Sequence, residues 1–139
     1  MTRNLKAIFV TGFALLFATA PLLAHHYAGT VYDATKKITL KGTVTKVEWM
    51  NPHIQYYVDV KDGNGKVTNW AIEGGPPNTL YRAGWKKDTL KAGETITIEN
   101  ASTARDGSKK LSGGTVRLPD GKRIFSGSAN DGLNPQLAK

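Results

Sequence analysis

Cysteine is absent from the sequence: none occurs among its 139 residues. Without cysteine the chain forms no disulfide, offers no thiolate to a metal ion and cannot carry a lipid on a cysteine side chain. A small protein of this composition has to gain its stability from a hydrophobic core and from backbone hydrogen bonds.

Short catalytic motifs are also absent. The sequence contains no Gly-x-Ser-x-Gly elbow, no P-loop, no HExxH zinc motif and no dinucleotide-binding fingerprint. Its acidic residues show no paired spacing typical of general acid–base catalysis, and Asp62, Asp106 and Asp120 each precede a glycine in a turn-like stretch. No local pattern therefore supports an enzymatic function.

Long hydrophobic runs are confined to the N-terminus, where residues 1–24 are organised like a secretory signal peptide. Arg3 and Lys6 form the positive start, and an apolar run follows from residue 7 to residue 20. This run is shorter than the roughly 20 apolar residues that a membrane-spanning helix needs. The sequence predicts export to the periplasm, with no stable membrane insertion after cleavage.

Two cleavage points compete at the end of the leader. Cleavage after Ala20 would leave Pro21 at the new N-terminus, where proline obstructs the peptidase. Cleavage after Ala24 avoids that proline, and we therefore favour it. The mature chain is then predicted to begin at His25.

The residues that remain after cleavage suffice for one domain with a modest core. The full chain has a net charge of +8, and the leader holds two cations and no acid, which leaves +6 for the mature chain. The basic residues are spread along the chain, as is typical of a charged, soluble surface. Because an exported protein seldom meets nucleic acid, we do not expect nucleic acid as a partner.

Alternating hydrophobic residues predict strands in the first half of the mature chain. Residues 38–49 alternate and then shift phase near Thr45, which indicates a β-bulge in a long strand that Gly42 helps to bend. Residues 54–60 alternate cleanly, as expected of a strand with one buried face. A glycine-rich hairpin turn, KDGNGK, leads to a third strand over residues 67–73.

The second half predicts a short helix followed by further strands. Asn78 is a candidate N-cap for a helix over residues 79–83, and Gly84 suits its C-terminal end, with Trp85 packing behind it. Further strands are predicted over residues 95–100, 111–118 and 123–125.

Three meander strands, a short helix and further strands follow one another in the order of an OB-like barrel. We therefore predict an all-β fold with one short helix, built as a small OB-like β-barrel; an open β-sandwich is the alternative. The predicted organisation is a signal peptide at residues 1–24, an N-terminal arm at 25–37, the barrel at 38–125 and a flexible C-terminal tail at 126–139.

Histidine is scarce, and the three copies suggest a metal site. If cleavage follows Ala24, the α-amine and imidazole of His25 can chelate a metal ion, and His53 can add a third nitrogen in a T-shaped histidine brace. His26 can instead chelate through its imidazole, the intervening amide and the amine. Nitrogen donors in a tetragonal array suit Cu(II), so a copper ion is the predicted cofactor. The simpler interpretation is an exposed pair in an arm and a histidine that makes one strand-end hydrogen bond.

Glu73 is the acidic residue with the most suggestive position. It ends the third predicted strand, directly before a glycine pair, and would lie near His53 at a barrel mouth if the strands pair in simple register. It is therefore a candidate metal ligand, although a plain surface carboxylate is the simpler interpretation. Glu73 and His53 would also be the acid–base partners of a small enzyme, the last-ranked function.

The aromatic residues suggest a function of a different class. Tyr57 and Trp70 occupy positions that alternate with the aliphatic stripe, so one of them is a candidate for the surface. Aromatic side chains beside lysines on an OB-like face can stack bases or sugars. The alternative to a metal or small-ligand site is thus an interaction module for a protein partner, a glycan or a polyanion; the sequence names no protein partner. The simpler interpretation is that most of the aromatic side chains fill the barrel.

Several motifs together resemble a family of small exported proteins of Gram-negative bacteria, a domain of unknown function. The stretches are AHHY, TLKGTVTKVEWMNPH, NWAIE, LYRAGWKKDTLKAGETITI and RDGSKKL. The usual start of that family is close to AHHSFAMFD, and Tyr27 here replaces its serine. The resemblance implies a β-rich periplasmic domain and supplies no activity or cofactor. The residues on matching motif positions are His25, His26, Trp49, Asn51, Pro52, His53, Glu73, Gly84 and Trp85.

Overall fold

The computed structural model of the protein describes residues 30–127. Within that range the chain forms seven β-strands and one short helix. In chain order they are β1 (Tyr32–Glu48), β2 (Gln55–Lys61), β3 (Val67–Glu73), α1 (Pro77–Arg82), β4 (Thr95–Ala104), β5 (Lys110–Ser112), β6 (Thr115–Arg117) and β7 (Arg123–Phe125). The predicted signal peptide lies outside the described residues. Among the residues described, no helix has the length and apolar character needed to cross a membrane.

Five strands close into a barrel in the order β1-β2-β3-β5-β4, and β4 pairs with β1 to complete the circle. Neighbours in the barrel are antiparallel except β3 and β5, which run parallel because α1 and β4 form a long crossover between them. This strand order, with a helix between β3 and β4, is that of an OB-like barrel. The predicted fold class is confirmed, and the sandwich alternative is wrong.

The long strand β1 pairs with two neighbours. Its register with β2 shifts between Val44 and Lys46, which confirms the β-bulge predicted near Thr45. A Cβ atom at Gly42 would collide with the carbonyl oxygen of Asp59, so glycine permits the close approach of β1 and β2. The bent strand can therefore pair with β4 along its first part and with β2 along its last part.

β1 begins earlier than the sequence predicts, within the stretch assigned to the N-terminal arm. Tyr32 pairs with Ala104 of β4, and after a bulge at residues 34–36 the pairing resumes at Lys37. The alternation that reveals a half-buried strand is missing here because the residues of the bulge are exposed. The strand is extended by backbone hydrogen bonds with β4. A pattern of hydrophobic residues in the sequence does not reveal such pairing.

The helix α1 begins differently from the prediction. Its N-cap is Pro76, which makes no side-chain capping bond, so Asn78 lies inside the helix and is not its cap. Pro77 follows at the first helical position, where the fixed φ of proline is preorganised for the first turn. The predicted C-terminal end is confirmed: Gly84 has a φ of 93°, and Trp85 is buried behind it.

The strand predicted over residues 111–118 is divided into β5 and β6. Gly113 and Gly114 lie between them with φ angles of 70° and 90°, a left-handed conformation that glycine adopts readily. β5 fills the gap between β3 and β4, whereas β6 continues along β4 and pairs with β7. The chain thus leaves the barrel circle at this glycine pair.

Side chains from the inner faces of the strands and from α1 fill the barrel. The largest fully buried ones are Trp85, Tyr56, Ile54, Ile72, Leu80, Ile96 and Ile98. The tail predicted to begin at Ser126 starts with two buried residues, Ser126 and Gly127, and residues 128–139 lie outside the described range. Ser126 belongs to the core because its backbone and side chain are hydrogen-bonded there.

A buried polar cluster occupies this part of the core. The hydroxyl oxygen of Tyr56 lies 3.1 Å from the hydroxyl oxygen of Ser126, and the Ser126 hydroxyl lies 3.2 Å from each of the carbonyl oxygens of Gly113 and Gly114. Tyr56 and Ser126 are both fully buried. We call these two side chains the closed cluster.

Candidate functional site

The backbone at one end of β2 and β3 brings His53 and Glu73 together. The amide of Gly74 donates to the carbonyl of Ile54 at 2.9 Å, and the amide of Ile54 donates to the carbonyl of Gly75 at 3.2 Å. A Cβ atom on Gly74 would lie 2.6 Å from the Ile54 side chain, so glycine is needed for this approach. The residues that flank this contact therefore lie side by side, as the simple register predicts.

The two side chains are hydrogen-bonded to each other and to a third residue. Nδ1 of His53 lies 2.6 Å from Oε1 of Glu73, and the hydroxyl of Tyr32 donates to Oε2 of Glu73 at 2.9 Å. The side chain of His53 is 37% exposed and that of Glu73 is 27% exposed, so solvent reaches both. We call Tyr32, Glu73 and His53 the open cluster.

The open cluster leaves one imidazole nitrogen available. An ionised carboxylate only accepts hydrogen bonds, so the Nδ1–H of His53 is the donor to Glu73; in the neutral imidazole Nε2 then keeps its lone pair. Within residues 30–127, no side chain or backbone group bonds to that Nε2. A histidine oriented by a carboxylate in this way is typical of metal ligands and of general bases.

The described part of the chain does not hold a complete set of metal ligands. No group of three His, Cys, Asp or Glu side chains in residues 30–127 could hold a metal ion. His53 supplies one imidazole, and both carboxylate oxygens of Glu73 already accept hydrogen bonds. The other two predicted ligands, His25 and His26, lie outside the described residues.

Tyr32 is the member of the open cluster that the sequence did not predict. It lies 41 residues before Glu73, in a stretch that reads as irregular. No local pattern connects the two residues. The pairing of β1 with β4, which starts at Tyr32, is what makes this tyrosine part of the barrel.

Two acidic residues on β1 and β2, Glu48 and Asp59, have ordinary surface roles. Glu48 forms an ion pair with Lys46 and accepts a hydrogen bond from Tyr57, and these contacts lower the pKa of its carboxyl, Lys46 having the larger effect. Asp59 accepts a hydrogen bond from the side chain of Asn69 at 2.7 Å. Neither residue contacts the open cluster.

Tyr57 and Trp70, the two candidates for a surface aromatic, are both half-buried, and a lysine lies over each ring. The ammonium of Lys46 is 5.6 Å from the ring centre of Tyr57, and that of Lys109 is 5.0 Å from the ring centre of Trp70. Among the other aromatic side chains of residues 30–127, those of Trp49, Tyr56 and Trp85 pack in or against the core, whereas Tyr81 is 68% exposed.

The fold and the open cluster together define a small closed β-barrel with a histidine–carboxylate pair at one end of β2 and β3. Residues 14–113 match DUF6152, a family of unknown function, and the chain belongs to that family. Neither a curated protein nor a solved structure matches the chain. Membership of the family assigns no activity, so the functional argument rests on the site.

Proposed function

We propose that the protein is a periplasmic ligand-binding protein that binds a copper ion through His53 and the N-terminal His25, with His26 as the alternative chelator. The observation that carries the proposal is the 2.6 Å hydrogen bond between Nδ1 of His53 and Glu73. It leaves Nε2 of this partly exposed side chain as an electron-pair donor to a metal ion. A carboxylate partner fixes the tautomer of a metal-binding histidine and raises its basicity. Glu73 acts in this arrangement by orienting the ring.

The chain between His25 and the barrel is long enough to bring its N-terminal nitrogen atoms to His53. Seven peptide steps separate His25 from Tyr32, a length that can span about 25 Å when extended. The hydroxyl of Tyr32 is bonded to Glu73, which is bonded to His53. The strand that follows the N-terminal segment thus begins beside the proposed ligand.

The chemistry of the donor set supports copper over harder cations. The α-amine, the imidazole of His25 and Nε2 of His53 would supply three nitrogen donors, and such sets suit Cu(II) in tetragonal geometry. The chain contains no thiolate to favour a softer ion. Binding requires the neutral form of each imidazole, because the metal ion takes the lone pair of the ring nitrogen.

Calorimetric titration with Cu(II) tests the proposal. The chain that starts at His25 is compared with the same chain carrying one extra N-terminal residue and with His53→Gln. We expect one tight site per chain and a clear loss of affinity in both altered proteins, because each removes one nitrogen donor. The peptide of residues 25–32 serves as a control for the copper that any His-His terminus binds by itself.

Equal affinity of the His25 chain, the extended chain and His53→Gln would contradict the proposal. The intact mass of protein purified from the periplasm tests the cleavage site independently. A mature chain that begins at Pro21 would remove the amine of His25 from the site and with it the brace.

A second candidate follows from the same hydrogen bond. A histidine held by a carboxylate can also act as a general base, which would make Glu73 and His53 an acid–base pair. We rank this function below metal binding because no serine, threonine or tyrosine hydroxyl within residues 30–127 bonds to Nε2 of His53. Loss of a hydrolytic activity in His53→Gln, with no copper affinity in the parent chain, would favour it.

A further inference from the structure

A cleft lies beside the start of β1 and outside the open cluster. The pairing of β1 with β4 is interrupted between Asp33 and Lys37, and Asp33 and Lys36 both line the cleft. The opening encloses about 420 Å³, within the range of roughly 300–1,000 Å³ that small-molecule sites occupy. Its lining includes Asp33, Lys36, Trp70, Thr103, Arg105 and Ser108.

The backbone that shapes the cleft is held by local hydrogen bonds. Oδ1 of Asp33 accepts from both the amide and the hydroxyl of Thr35, at 3.0 and 2.6 Å. The hydroxyl of Thr103 on β4 donates to the carbonyl of Lys36 at 3.2 Å. The bulge is therefore fixed at both of its ends, and the cleft is preformed.

Positive charge predominates around the cleft. Lys36 and Arg105 line it, and Lys109 places its ammonium 5.0 Å from the ring centre of Trp70. Arg105 forms an ion pair with Asp33 at 3.8 Å, whereas neither Lys36 nor Lys109 forms an ion pair with a carboxylate of residues 30–127. Asp33 is the acid in the lining; Thr35, and to a smaller extent Arg105, lower the pKa of its carboxyl, so it is ionised at neutral pH.

The adjoining turn between β4 and β5 adds a polar group. The hydroxyl of Ser108 is close enough to Asp106 to lower the pKa of that carboxyl, while Lys110 also lowers it. That hydroxyl oxygen is buried, yet it makes no hydrogen bond of acceptable geometry with the rest of residues 30–127. The amide of Ser108 donates to Oδ1 of Asp106 at 2.9 Å, so this turn holds Ser108 in place at the lining of the cleft.

Trp70 supplies the apolar surface of the cleft. It packs against the core with one part of its side chain and lines the cleft with another. The Lys109 ammonium lies 5.0 Å from the centre of the indole ring, an arrangement that attraction between the charge and the ring favours. An indole with an ammonium group beside it can contact the flat ring of a ligand and an anionic substituent on that ring at the same time.

We propose that this cleft binds a small organic anion that carries a flat ring, with the ring against Trp70 and the anionic group between Lys36, Arg105 and Lys109. The size of the opening selects a small molecule over a polymer segment. The site shares no residue with the open cluster, so the proposal does not depend on copper binding.

Three probes separate the contributions of ring and charge: phenyl phosphate carries both, inorganic phosphate carries charge alone, and phenol carries the ring alone. Binding is measured by calorimetry and by tryptophan fluorescence on metal-free, full-length mature protein. We expect phenyl phosphate to bind at least about tenfold more tightly than either of the other probes, since both halves of the site contribute. Failure of phenyl phosphate to bind, or binding no tighter than that of inorganic phosphate, would overturn the proposal.

Matched substitutions locate the binding. Lys109→Ala and Lys36→Ala should each weaken phenyl phosphate binding about tenfold, because each removes a charged partner of the anion. Lys110→Ala and Lys37→Ala remove the same charge one residue away, at positions that neither line the cleft nor place an ammonium over Trp70, and should leave the affinity within about twofold. Equal losses in all four variants would show unspecific electrostatic attraction and contradict the site.

The contribution of the ring is tested with Trp70→Leu, which keeps an apolar side chain and removes the indole. Binding of phenyl phosphate should fall to the level of inorganic phosphate, with circular dichroism confirming the fold. If that variant does not fold, the lysine pairs decide the question by themselves. His53→Gln should bind phenyl phosphate unchanged, which keeps this test separate from that of the copper site.

Discussion

The open and closed clusters both contain a tyrosine hydroxyl, but the hydrogen bonds of that hydroxyl differ between them. In the closed cluster the Tyr56 hydroxyl contacts Ser126, whose hydroxyl faces two backbone carbonyls, and both side chains are fully buried. Burial raises the pKa of Tyr56, so it stays protonated. In the open cluster the series of bonds from Tyr32 ends at the solvent-exposed His53. Every polar group of a buried network needs a hydrogen-bond partner. A network at the surface can leave one polar atom without a protein partner, and a ligand can then bind that atom.

The two clusters are joined through the backbone. The amide of Gly113 donates to the carbonyl of Glu73 at 3.0 Å, and the amide of Gly75 donates to the carbonyl of Ser126 at 2.7 Å. These bonds hold the chain at Glu73 and two residues further on at Gly75, and the second bond comes from Ser126 of the closed cluster. Damage to the closed cluster should disturb the open one, while changes in the open cluster should leave the core intact.

The largest effect is expected from Tyr56→Ala, which removes a fully buried aromatic side chain. Loss of packing and the resulting cavity should lower the free energy of unfolding by about 3–5 kcal/mol. Equilibrium denaturation in urea measures this change. Tyr81→Ala, at a position that is 68% exposed, is the matched control and should change stability little. Similar losses in both variants would remove the distinction between core and surface.

Gly74→Ala tests the link between the clusters. The new methyl group would press against the Ile54 side chain and lie 3.0 Å from the carbonyl of Ser126, at an expected cost of about 1–3 kcal/mol in stability. Because the same contact sets His53 beside Glu73, copper affinity should fall as well. Gly63→Ala is the control, since its added Cβ meets no atom within 4 Å. Unchanged copper affinity in a destabilised Gly74→Ala protein would show that the clusters are independent.

Glu73→Gln affects binding more than folding. The amide keeps the shape but no longer offers His53 an ionised acceptor, so copper affinity should fall roughly 10- to 100-fold. The change in the free energy of unfolding should stay below about 1 kcal/mol, because the pair is partly exposed. Copper titration and urea denaturation on the same samples give both values. Glu94→Gln, far along the chain from the site, should match the parent in affinity.

The smallest effect on copper affinity is expected from Tyr32→Phe. It removes the hydrogen bond to Oε2 of Glu73 and leaves the bond to His53 in place. Stability should fall by about 0.5–1.5 kcal/mol, and copper affinity by only a few-fold. Tyr81→Phe, which loses an exposed hydroxyl, is the control. A loss of affinity as large as that in Glu73→Gln would mean that Tyr32 contributes more than orientation.

The sequence predicts the barrel well because alternation, turn residues and the phase shift near Thr45 are local features. These features locate β2, β3, β7 and the bend of β1. They do not locate the start of β1, whose exposed residues pair through the backbone alone. They also misplace the helix cap at Asn78, because the fixed φ of proline replaces a capping side chain.

The candidate site is only partly predictable for the same reason. His53 and Glu73 follow from register, since two neighbouring strands joined by a tight hairpin have little freedom to slip. Tyr32, the closed cluster and the cleft beside Trp70 depend on contacts between residues far apart in the chain. Such contacts leave no periodic pattern in the sequence.

The start of β1 at Tyr32 also sets how many residues connect His25 to the barrel. Six residues lie between His25 and the first paired residue of the barrel, and twelve would lie there if β1 began at Ile38. The effective concentration of a tethered group is of millimolar order for a short linker and falls with about the −3/2 power of its length. For a flexible linker, doubling the number of residues would dilute the N-terminal amine at His53 roughly threefold. Under the copper proposal, two features therefore determine the affinity for the metal. Cleavage after Ala24 would supply the amine of His25, and the pairing of β1 with β4 from Tyr32 onward sets the number of residues between that amine and the barrel.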